Sequence, residues 1–246
     1  MKTRLDIACV ERKLFESRVK AQACIMAGMV RVNGAPADKA GKTVKETDII
    51  EIIKSDCPYV SRGGLKLKGA IDSFKIEVKG GICLDIGTAT GGFSDCFLQE
   101  GAEKVYAVDV GEGQIHEKVR NHPKVVFMPQ TNARFLKPEM FPEPPVLAAI
   151  DVSFISLRLI LGPVFNSVAP AARVIALIKP QFELQPQDLK KGIVRSDETR
   201  LKAVESLRIF VKENFKNVEE AGLIESPIKG AKGNVEYLWL LAKIAP

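Results

Sequence analysis

Short apolar runs typical of β-strands alternate with helical stretches over the last two thirds of the chain. In the helix expected to begin near Leu65, the residues Leu67, Ala70, Ile71 and Phe74 form one apolar face. This alternation predicts an α/β fold in which helices cover both faces of a twisted, mostly parallel seven-stranded sheet. The first run ends at 84–86, and the others cover 104–110, 125–128, 146–152, 173–178, 218–224 and 235–242.

The first fifty or so residues follow a different pattern, in which two short helices precede a small β layer. The expected elements are a helix around Leu5, Ala8 and Cys9, a helix capped by Ser17 and ended by Gly28, a strand and an Asn33–Gly34 turn in V-R-V-N-G, and a strand at 47–53. The composition changes after Cys57-Pro58. The chain is therefore expected to contain a small α+β domain at 1–57, a linker at 58–64 and the α/β domain at 65–246.

Composition excludes several classes of protein. The chain has 246 residues and no apolar run long enough to cross a bilayer, and its first residues lack the apolar core of a secretory signal. We therefore expect a cytoplasmic protein that does not engage membranes. The five cysteines are widely spaced and have no C-x-x-C or histidine partners. This argues against a disulfide framework or a metal site and predicts small buried side chains.

The segment 84–94, LDIGTATGGFS, is the most informative motif. A buried strand ends there in an acid-glycine turn and leads directly into a helix, which brings backbone N–H groups to a nucleotide-like ligand. Phe93 stands where a phosphate-binding P-loop needs a lysine, and Ala89 replaces the middle glycine of a dinucleotide fingerprint. Both of those classes are disfavoured. The pattern D-x-G-x-x-x-G, beginning at Asp85, is instead that of the first motif of S-adenosylmethionine-dependent methyltransferases.

A second acid supports this interpretation. Asp109 ends the run KVYAVDV, where a carboxylate can accept hydrogen bonds from the two ribose hydroxyls of an adenosyl group. Another doubly wound α/β domain with a glycine turn is the less favoured alternative. S-adenosylmethionine is the expected cofactor, and its candidate binding residues are Asp85, Gly87, Thr88, Gly91, Gly92, Phe93, Asp109 and Asn132.

Four ionisable residues lie where open α/β sheets place their ligands. Asp151 and Lys179 end two consecutive parallel strands, and Glu236 opens the last strand. Lys66 borders the apolar face of its helix and has no acid four residues away. If the last strand is antiparallel, all four reach one rim. The quartet then suits methyl transfer to a ribose 2′-hydroxyl, with Lys179 meeting the proton, Lys66 favouring a neutral amine, Asp151 orienting it and Glu236 completing the charge balance. Two unrelated salt bridges are the alternative.

Positive charge is concentrated in residues 1–36, where seven basic residues stand against three acidic ones. Such a patch can follow a phosphate backbone. The two helices, V-R-V-N-G and the small β layer resemble the S4 RNA-binding domain. By that resemblance the candidates for RNA contact are Arg4, Arg12, Lys13, Arg18, Lys20 and Arg31.

Together these segments resemble the TlyA family over essentially the whole chain. Further matching segments are Y-V-S-R-G-G, I-D-V-S-F-I-S-L, I-K-P-Q-F-E and S-P-I-K-G-A-K-G-N-V-E-Y. The resemblance implies an FtsJ-like methyltransferase that modifies the 2′-hydroxyl of cytidines in ribosomal RNA, with a Lys-Asp-Lys-Glu tetrad at Lys66, Asp151, Lys179 and Glu236. The expected partner is ribosomal RNA or a ribosomal subunit and not DNA, and a monomer is the default.

Three other functions are weighed against this one. An amino-group methyltransferase would carry an Asp/Asn-Pro-Pro-aromatic turn where this chain has D-V-S-F at 151–154. A non-catalytic RNA-binding or ribosome-assembly factor would not need the tetrad. The family has also been labelled haemolysin, but a pore-forming or lytic protein would need an apolar span or a secretion signal.

Overall fold

The computed structural model describes residues 2–26, 28–52, 57–112, 114–190 and 192–244. Two groups of elements follow one another along the chain. The first group contains β1 (Lys2–Arg4), α1 (Leu5–Glu11), α2 (Arg18–Met26), β2 (Val30–Val32), β3 (Ala35–Pro36), β4 (Thr43–Lys45) and β5 (Ile50–Ile52). The second contains α3 (Gly63–Phe74), β6 (Ile82–Ile86), α4 (Gly92–Gln99), β7 (Lys104–Val108), α5 (Glu117–Arg120), β8 (Val125–Met128), β9 (Leu147–Ile150), α6 (Leu161–Ser167), β10 (Arg173–Ile178), α7 (Pro180–Glu183), α8 (Asp197–Asn214), β11 (Val218–Glu225) and β12 (Tyr237–Lys243).

The second group forms a seven-stranded sheet in the order β11-β12-β10-β9-β6-β7-β8. Strands β6 to β10 are parallel to one another, whereas β12 pairs antiparallel with both β10 and β11. The predicted α/β fold is confirmed. The strands end within two residues of the predicted limits.

Two apolar cores lie on opposite faces of this sheet, because successive residues of a strand point to opposite faces. Leu84 and Ile86 of β6 pack with residues of α6 and α8 on one face. Cys83 packs with residues of α3 and α4 on the other face. Since helices cover both faces, the free loops lie at the ends of the strands.

The first group packs α1 and α2 against short strands, as predicted. The Ser17 hydroxyl accepts a hydrogen bond from the backbone N–H of Lys20 at 3.2 Å and caps α2. Asn33 and Gly34 have φ values of 53° and 75°, which the tight turn between β2 and β3 requires. The order of helices and turn in this domain therefore follows the sequence pattern.

The small β layer differs from the prediction in its strands. The sequence did not predict β1, β3 and β4, because strands of two or three residues carry too little alternation. The strand expected at 47–53 begins only at Ile50. The residues before it form a turn in which the Asp48 carboxylate accepts a hydrogen bond from the backbone N–H of Lys45 at 2.7 Å. The predicted end of this strand, Ile53, lies outside the described residues.

Residues 59–62, part of the predicted linker, pack against the larger domain. The Tyr59 ring is buried against Gly64 at the start of α3. The backbone N–H of Val60 donates to the buried Asp95 carboxylate on α4 at 2.8 Å. Helix α3 begins two residues earlier than expected. The limits of the two domains and of the linker stay a prediction.

The cysteines follow the prediction only in part. Cys9, Cys83 and Cys96 are buried, whereas Cys24 and Cys57 are partly exposed. Among the residues that the structure describes, no three His, Cys, Asp or Glu side chains are grouped to hold a metal ion. Within the same ranges, no helix is long and apolar enough to cross a bilayer.

The strand order reverses between β6 and β9. Open α/β sheets bind their ligands at the carboxyl ends of the strands at such a point. Gly87, which follows β6, has a φ of +83° and lies directly against the backbone of Asp151, which follows β9. A Cβ on Gly87 would lie 2.9 Å from the carbonyl carbon of Asp151 and closer still to its oxygen. Glycine is therefore required there for conformation and for space.

Substitution of Gly87 by alanine should destabilise the protein more than a left-handed backbone alone explains. Gly80 provides the matched control, because its φ is +73° and no atom lies within 4 Å of an added Cβ. In urea denaturation, Gly80→Ala should lower the free energy of unfolding by about 1–2 kcal/mol. Gly87→Ala should cost about 1–3 kcal/mol more, because the Cβ overlaps the Asp151 backbone. Equal losses in the two variants would contradict this contact.

Candidate active site

Two lysine-carboxylate pairs lie at the carboxyl edge of the sheet. The Nζ of Lys66, on α3, is 2.6 Å from Oε2 of Glu236, which precedes β12. The Nζ of Lys179, which precedes α7, is 2.6 Å from Oδ1 of Asp151. The exposed fractions of these side chains are 12% for Lys66, 2% for Glu236, 10% for Lys179 and 21% for Asp151. Charges this far from water are stable only as pairs.

The two pairs act on each other. Burial would raise the pKa of Asp151, but the charges of Lys179 and Lys66 and the hydrogen bond from Lys179 outweigh it and hold the pKa below its usual value. Asp151 is therefore ionised at neutral pH. The structure therefore shows the four residues that the sequence predicts as a tetrad as two ion pairs, which are linked by the charge of Lys66 acting on Asp151.

The antiparallel direction of β12 puts Glu236 at this edge, because the start of an antiparallel strand lies beside the ends of its parallel neighbours. Gly230 leaves room for the carboxylate: a Cβ there would overlap the Glu236 carboxyl group and come within 2.8 Å of Oε2. The backbone N–H of Gly230 donates to the carbonyl of Asn234 at 2.9 Å. The glycines of the G-A-K-G segment therefore include one that is needed for the position of Glu236.

Ser153 and two phenylalanines belong to this site, and the sequence analysis did not predict them. The Lys179 amine donates to Oγ of Ser153 at 2.9 Å and lies 5.9 Å from the centre of the Phe182 ring. The Phe154 ring lies 5.1 Å from that of Phe182, and Phe154 is 89% exposed. Its φ of +64° is unusual for a bulky residue. The available sequence signal was a phenylalanine, Phe154, only two residues beyond a predicted strand end.

The loop after β6 carries a buried carboxylate that is only half satisfied. Oδ2 of Asp85 accepts hydrogen bonds from the backbone N–H and the hydroxyl of Ser94 at 2.9 and 2.6 Å. Oδ1 is buried and has no partner among the described residues. Burial, together with the charges of Asp151 and Asp109, raises the pKa of Asp85 to about 7, although the hydrogen bonds from Ser94 oppose this shift. A cationic ligand group beside Oδ1 would satisfy this carboxylate.

Asp109 follows β7 directly, at the predicted strand end, and its carboxylate contacts the loop after β6. Its Oδ2 accepts a hydrogen bond from the N–H of Ala89 at 2.8 Å, and its Oδ1 accepts one from Gly111 at 2.7 Å. Each oxygen keeps a second lone pair that can accept from a ligand hydroxyl. Ala89 has a φ of +47°, so this alanine adopts the backbone conformation usually left to glycine.

The other predicted cofactor residues take varied positions. Thr88 is buried, and its hydroxyl donates to the carbonyls of Asp85 and Val108. Phe93 is buried in the core with residues of α3 and α4. The Asn132 side chain accepts a hydrogen bond from the N–H of Arg134 at 3.0 Å and caps a 3₁₀ turn. Gly91 and Gly92 form the start of α4.

Three of the predicted RNA-binding arginines are held by the first domain itself. Asp6 is fully buried and accepts hydrogen bonds from Arg4, Arg18 and Gln22. Arg12 donates to the backbone carbonyls of residues 45, 46 and 48. Arg4 and Arg18 remain about half exposed. Their guanidinium groups are thus fixed at the surface.

The other three candidates are exposed lysines and an arginine. Lys20 pairs with Glu16 at 2.8 Å in an i, i+4 arrangement on the surface. Lys13 and Arg31 are exposed and form no ion pair with any residue that the structure describes. All six candidates lie in the first domain, and none joins the lysine-carboxylate pairs.

Comparison with known proteins agrees with this geometry. The family model for FtsJ-like methyltransferases matches residues 59–243, and the model for the S4 domain matches residues 3–50. The 16S/23S rRNA (cytidine-2′-O)-methyltransferase TlyA of Mycobacterium tuberculosis is 39% identical over 97% of this chain and 90% of that protein. Hemolysin A of Brachyspira hyodysenteriae is 44% identical over 96% of this chain and 98% of that protein.

A solved structure gives the same result. A candidate hemolysin from Streptococcus thermophilus superposes on 99% of this chain and 89% of its own with a TM-score of 0.77 and 41% sequence identity. The similarity therefore covers both domains. This chain belongs to the TlyA family, whose members join an S4 domain to an FtsJ-like methyltransferase domain.

Proposed function

We propose that this protein transfers a methyl group from S-adenosylmethionine to the ribose 2′-hydroxyl of a cytidine in ribosomal RNA. The observation that carries the proposal is that two buried pairs, Lys66–Glu236 and Lys179–Asp151, lie at the same sheet edge as the half-satisfied Asp85. The name of the Mycobacterium tuberculosis relative supports this substrate class. The tetrad gives no advantage to a protein that only binds RNA.

The tetrad supplies what a weakly acidic alcohol needs. Methyl transfer would replace the sulfur–methyl bond of the cofactor by an oxygen–methyl bond, and the proton of the 2′-hydroxyl would have to leave. The amine of Lys179, when neutral, would accept that proton. Asp151 and Ser153 hold the amine in place through contacts of 2.6 and 2.9 Å. Glu236 holds the Lys66 ammonium through a contact of 2.6 Å.

The loops after β6 and β7 would hold an adenosyl sulfonium cofactor. When bound, S-adenosylmethionine supplies an activated methyl group. The free oxygen of Asp85 would receive its ammonium group, and the Asp109 carboxylate would receive its ribose hydroxyls. Gly87, Thr88, Gly91 and Gly92 would shape the loop around it, with Phe93 and Asn132 supporting the loop from the core and the next turn.

Phe154 and the S4 domain would hold the RNA. An aromatic ring that is 89% exposed beside the lysine amine can stack on the target base, which contributes about 1–3 kcal/mol. The S4 domain presents Arg4, Arg12, Lys13, Arg18, Lys20 and Arg31, which would bind phosphates. Action as a monomer in the cytoplasm, where ribosomal subunits are found, stays a prediction.

Replacement of Lys179 by alanine should abolish methyl transfer without unfolding the protein. We expect kcat to fall by about 100-fold or more, because the group that accepts the proton is lost. The measurement is transfer of labelled methyl to ribosomal subunits that lack the modification, with the product mapped by resistance to alkaline cleavage. Lys68→Ala is the matched control, since Lys68 lies on α3 and pairs with Asp72 and Glu100 away from the site. Label in an alkali-sensitive nucleotide would contradict ribose methylation.

Asp85→Asn should lower the affinity for the cofactor while it raises stability relative to wild type as pH rises. Because the pKa of Asp85 is raised to about 7, its ionisation costs the folded protein stability as pH rises from about 4 to 7. The difference in melting temperature, asparagine variant minus wild type, should therefore increase from pH 5 to pH 8. Its affinity for S-adenosylmethionine, measured by calorimetry, should fall about 10-fold, because the ammonium group loses a charged partner. Unchanged affinity would exclude Asp85 from the cofactor site.

Gly230→Ala should displace the Glu236 carboxylate and reduce methyl transfer. The added Cβ overlaps that carboxylate, so the pair with Lys66 cannot keep its 2.6 Å contact. We expect about 1–3 kcal/mol of destabilisation and a greater loss of kcat than of cofactor affinity. Gly162→Ala on α6 is the control, because the nearest atom lies 3.8 Å from its new Cβ. Its stability and its kcat should stay near those of wild type. Wild-type kcat in Gly230→Ala would argue against a role for Glu236.

A further inference from the structure

The loop that follows β9 lies along α7, and contacts join the two at three points. At the first, the Lys179 amine binds Asp151 and Ser153. At the second, the rings of Phe154 and Phe182 lie 5.1 Å apart. The third contact involves Glu183, the last residue of α7. The loop is therefore fixed on both sides of Phe154.

Glu183 is a buried carboxylate whose partners all belong to this loop. Oε1 accepts a hydrogen bond from the backbone N–H of Leu157 at 2.8 Å. Oε2 accepts one from the Ser156 hydroxyl at 2.6 Å and one from the Arg158 guanidinium at 3.1 Å. The Glu183 side chain is only 2% exposed. A charge so buried is retained only where its partners are held in place, and here they are three consecutive residues.

Arg158 extends this anchor to another helix. Its second amino group donates to the Ser206 hydroxyl on α8 at 2.6 Å, and its guanidinium lies 5.8 Å from the ring of Phe210. Glu183 and Arg158 together therefore join the far end of the loop to α7 and α8.

The held segment carries backbone strain at its tip. Phe154 has a φ of +64°, a conformation that costs about 1–3 kcal/mol and persists only where the surroundings enforce it. Its ring is 89% exposed, so burial of the side chain does not enforce it. The enforcement must come from the anchors on either side, at Asp151–Ser153 and at 156–158.

We propose that Glu183 is a positioning residue that fixes segment 153–158 against α7 and so sets the place of Phe154, whose neighbour Ser153 binds the Lys179 amine. The proposal rests on the proposed function, in which Phe154 holds the target nucleotide. Glu183 itself touches no reacting group. Its removal should therefore affect the use of RNA and leave the cofactor site intact.

A double-mutant cycle of Glu183→Gln and Phe154→Ala tests this proposal. Glu183→Gln should lower kcat/KM for ribosomal RNA about 10-fold, because small displacements of positioning groups are costly, with the affinity for S-adenosylmethionine within twofold of wild type. In the Phe154→Ala background the same substitution should change kcat/KM less than twofold, since its effect passes through Phe154. Fully additive effects would overturn the proposal.

Glu220→Gln is the matched control. Glu220 on β11 also pairs with an arginine, Arg208, at 2.6 Å, and it accepts from Trp239. Loss of that pair should lower stability without changing kcat/KM. An equal loss of kcat/KM in Glu220→Gln would mean that general destabilisation explains the result, which would overturn the positioning role.

Hydrogen exchange provides a readout that does not depend on activity. The amide of Leu157 should exchange about 10-fold faster in Glu183→Gln, while amides of β9 and β10 keep their protection. Should Glu183→Gln fail to fold, Ser156→Ala removes one donor to the same carboxylate and should give a smaller shift in the same direction. Unchanged exchange across 153–158 would overturn the proposal. If exchange is faster in Glu183→Gln but the wild-type protein methylates no RNA, the proposed function is refuted. The role of Glu183 in fixing segment 153–158 is then still supported.

Discussion

The close approach of Gly87 to the backbone of Asp151 is the constraint on which the site depends. It lets the loops after β6 and β9 lie against each other, so the Asp85 carboxylate and the Lys179–Asp151 pair share an environment. Their electrostatic coupling is visible in Asp85, whose pKa rises partly through the charge of Asp151. If the two loops lay farther apart, Asp85 and the Lys179–Asp151 pair could not act on the same bound molecule.

Hydrophobic periodicity and the expected strand directions were enough to predict most of the fold. The predicted strand ends put Asp109, Asp151 and Lys179 where the structure has them, because parallel strands end on one edge. The position of Glu236 followed from an expected antiparallel last strand. The short strands of the S4 domain were missed, since pairs such as β1 with β4 depend on contacts some forty residues apart and not on local alternation.

Side-chain partners were the less predictable part of the site. The resemblance to the S4 domain made Arg4 and Arg18 candidates for RNA contact. It could not show that both share Asp6, because only the packing of α1 against α2 brings them together. Glu183 stood in a recognisable segment, yet its partners lie more than twenty residues away on another loop. Local sequence specifies the elements, whereas such pairings depend on the tertiary fold.

The place of β12 has a consequence for how the protein matures. This strand lies between β10 and β11, so β11 has no neighbour in the sheet until β12 is inserted. The same strand brings Glu236 to Lys66, which is 170 residues earlier in the chain. Contacts of such sequence separation form slowly, because loop closure precedes their gain in energy. During synthesis on a ribosome, the Lys66–Glu236 pair can therefore form only after β12 has emerged, although α3 and most of the sheet are made long before.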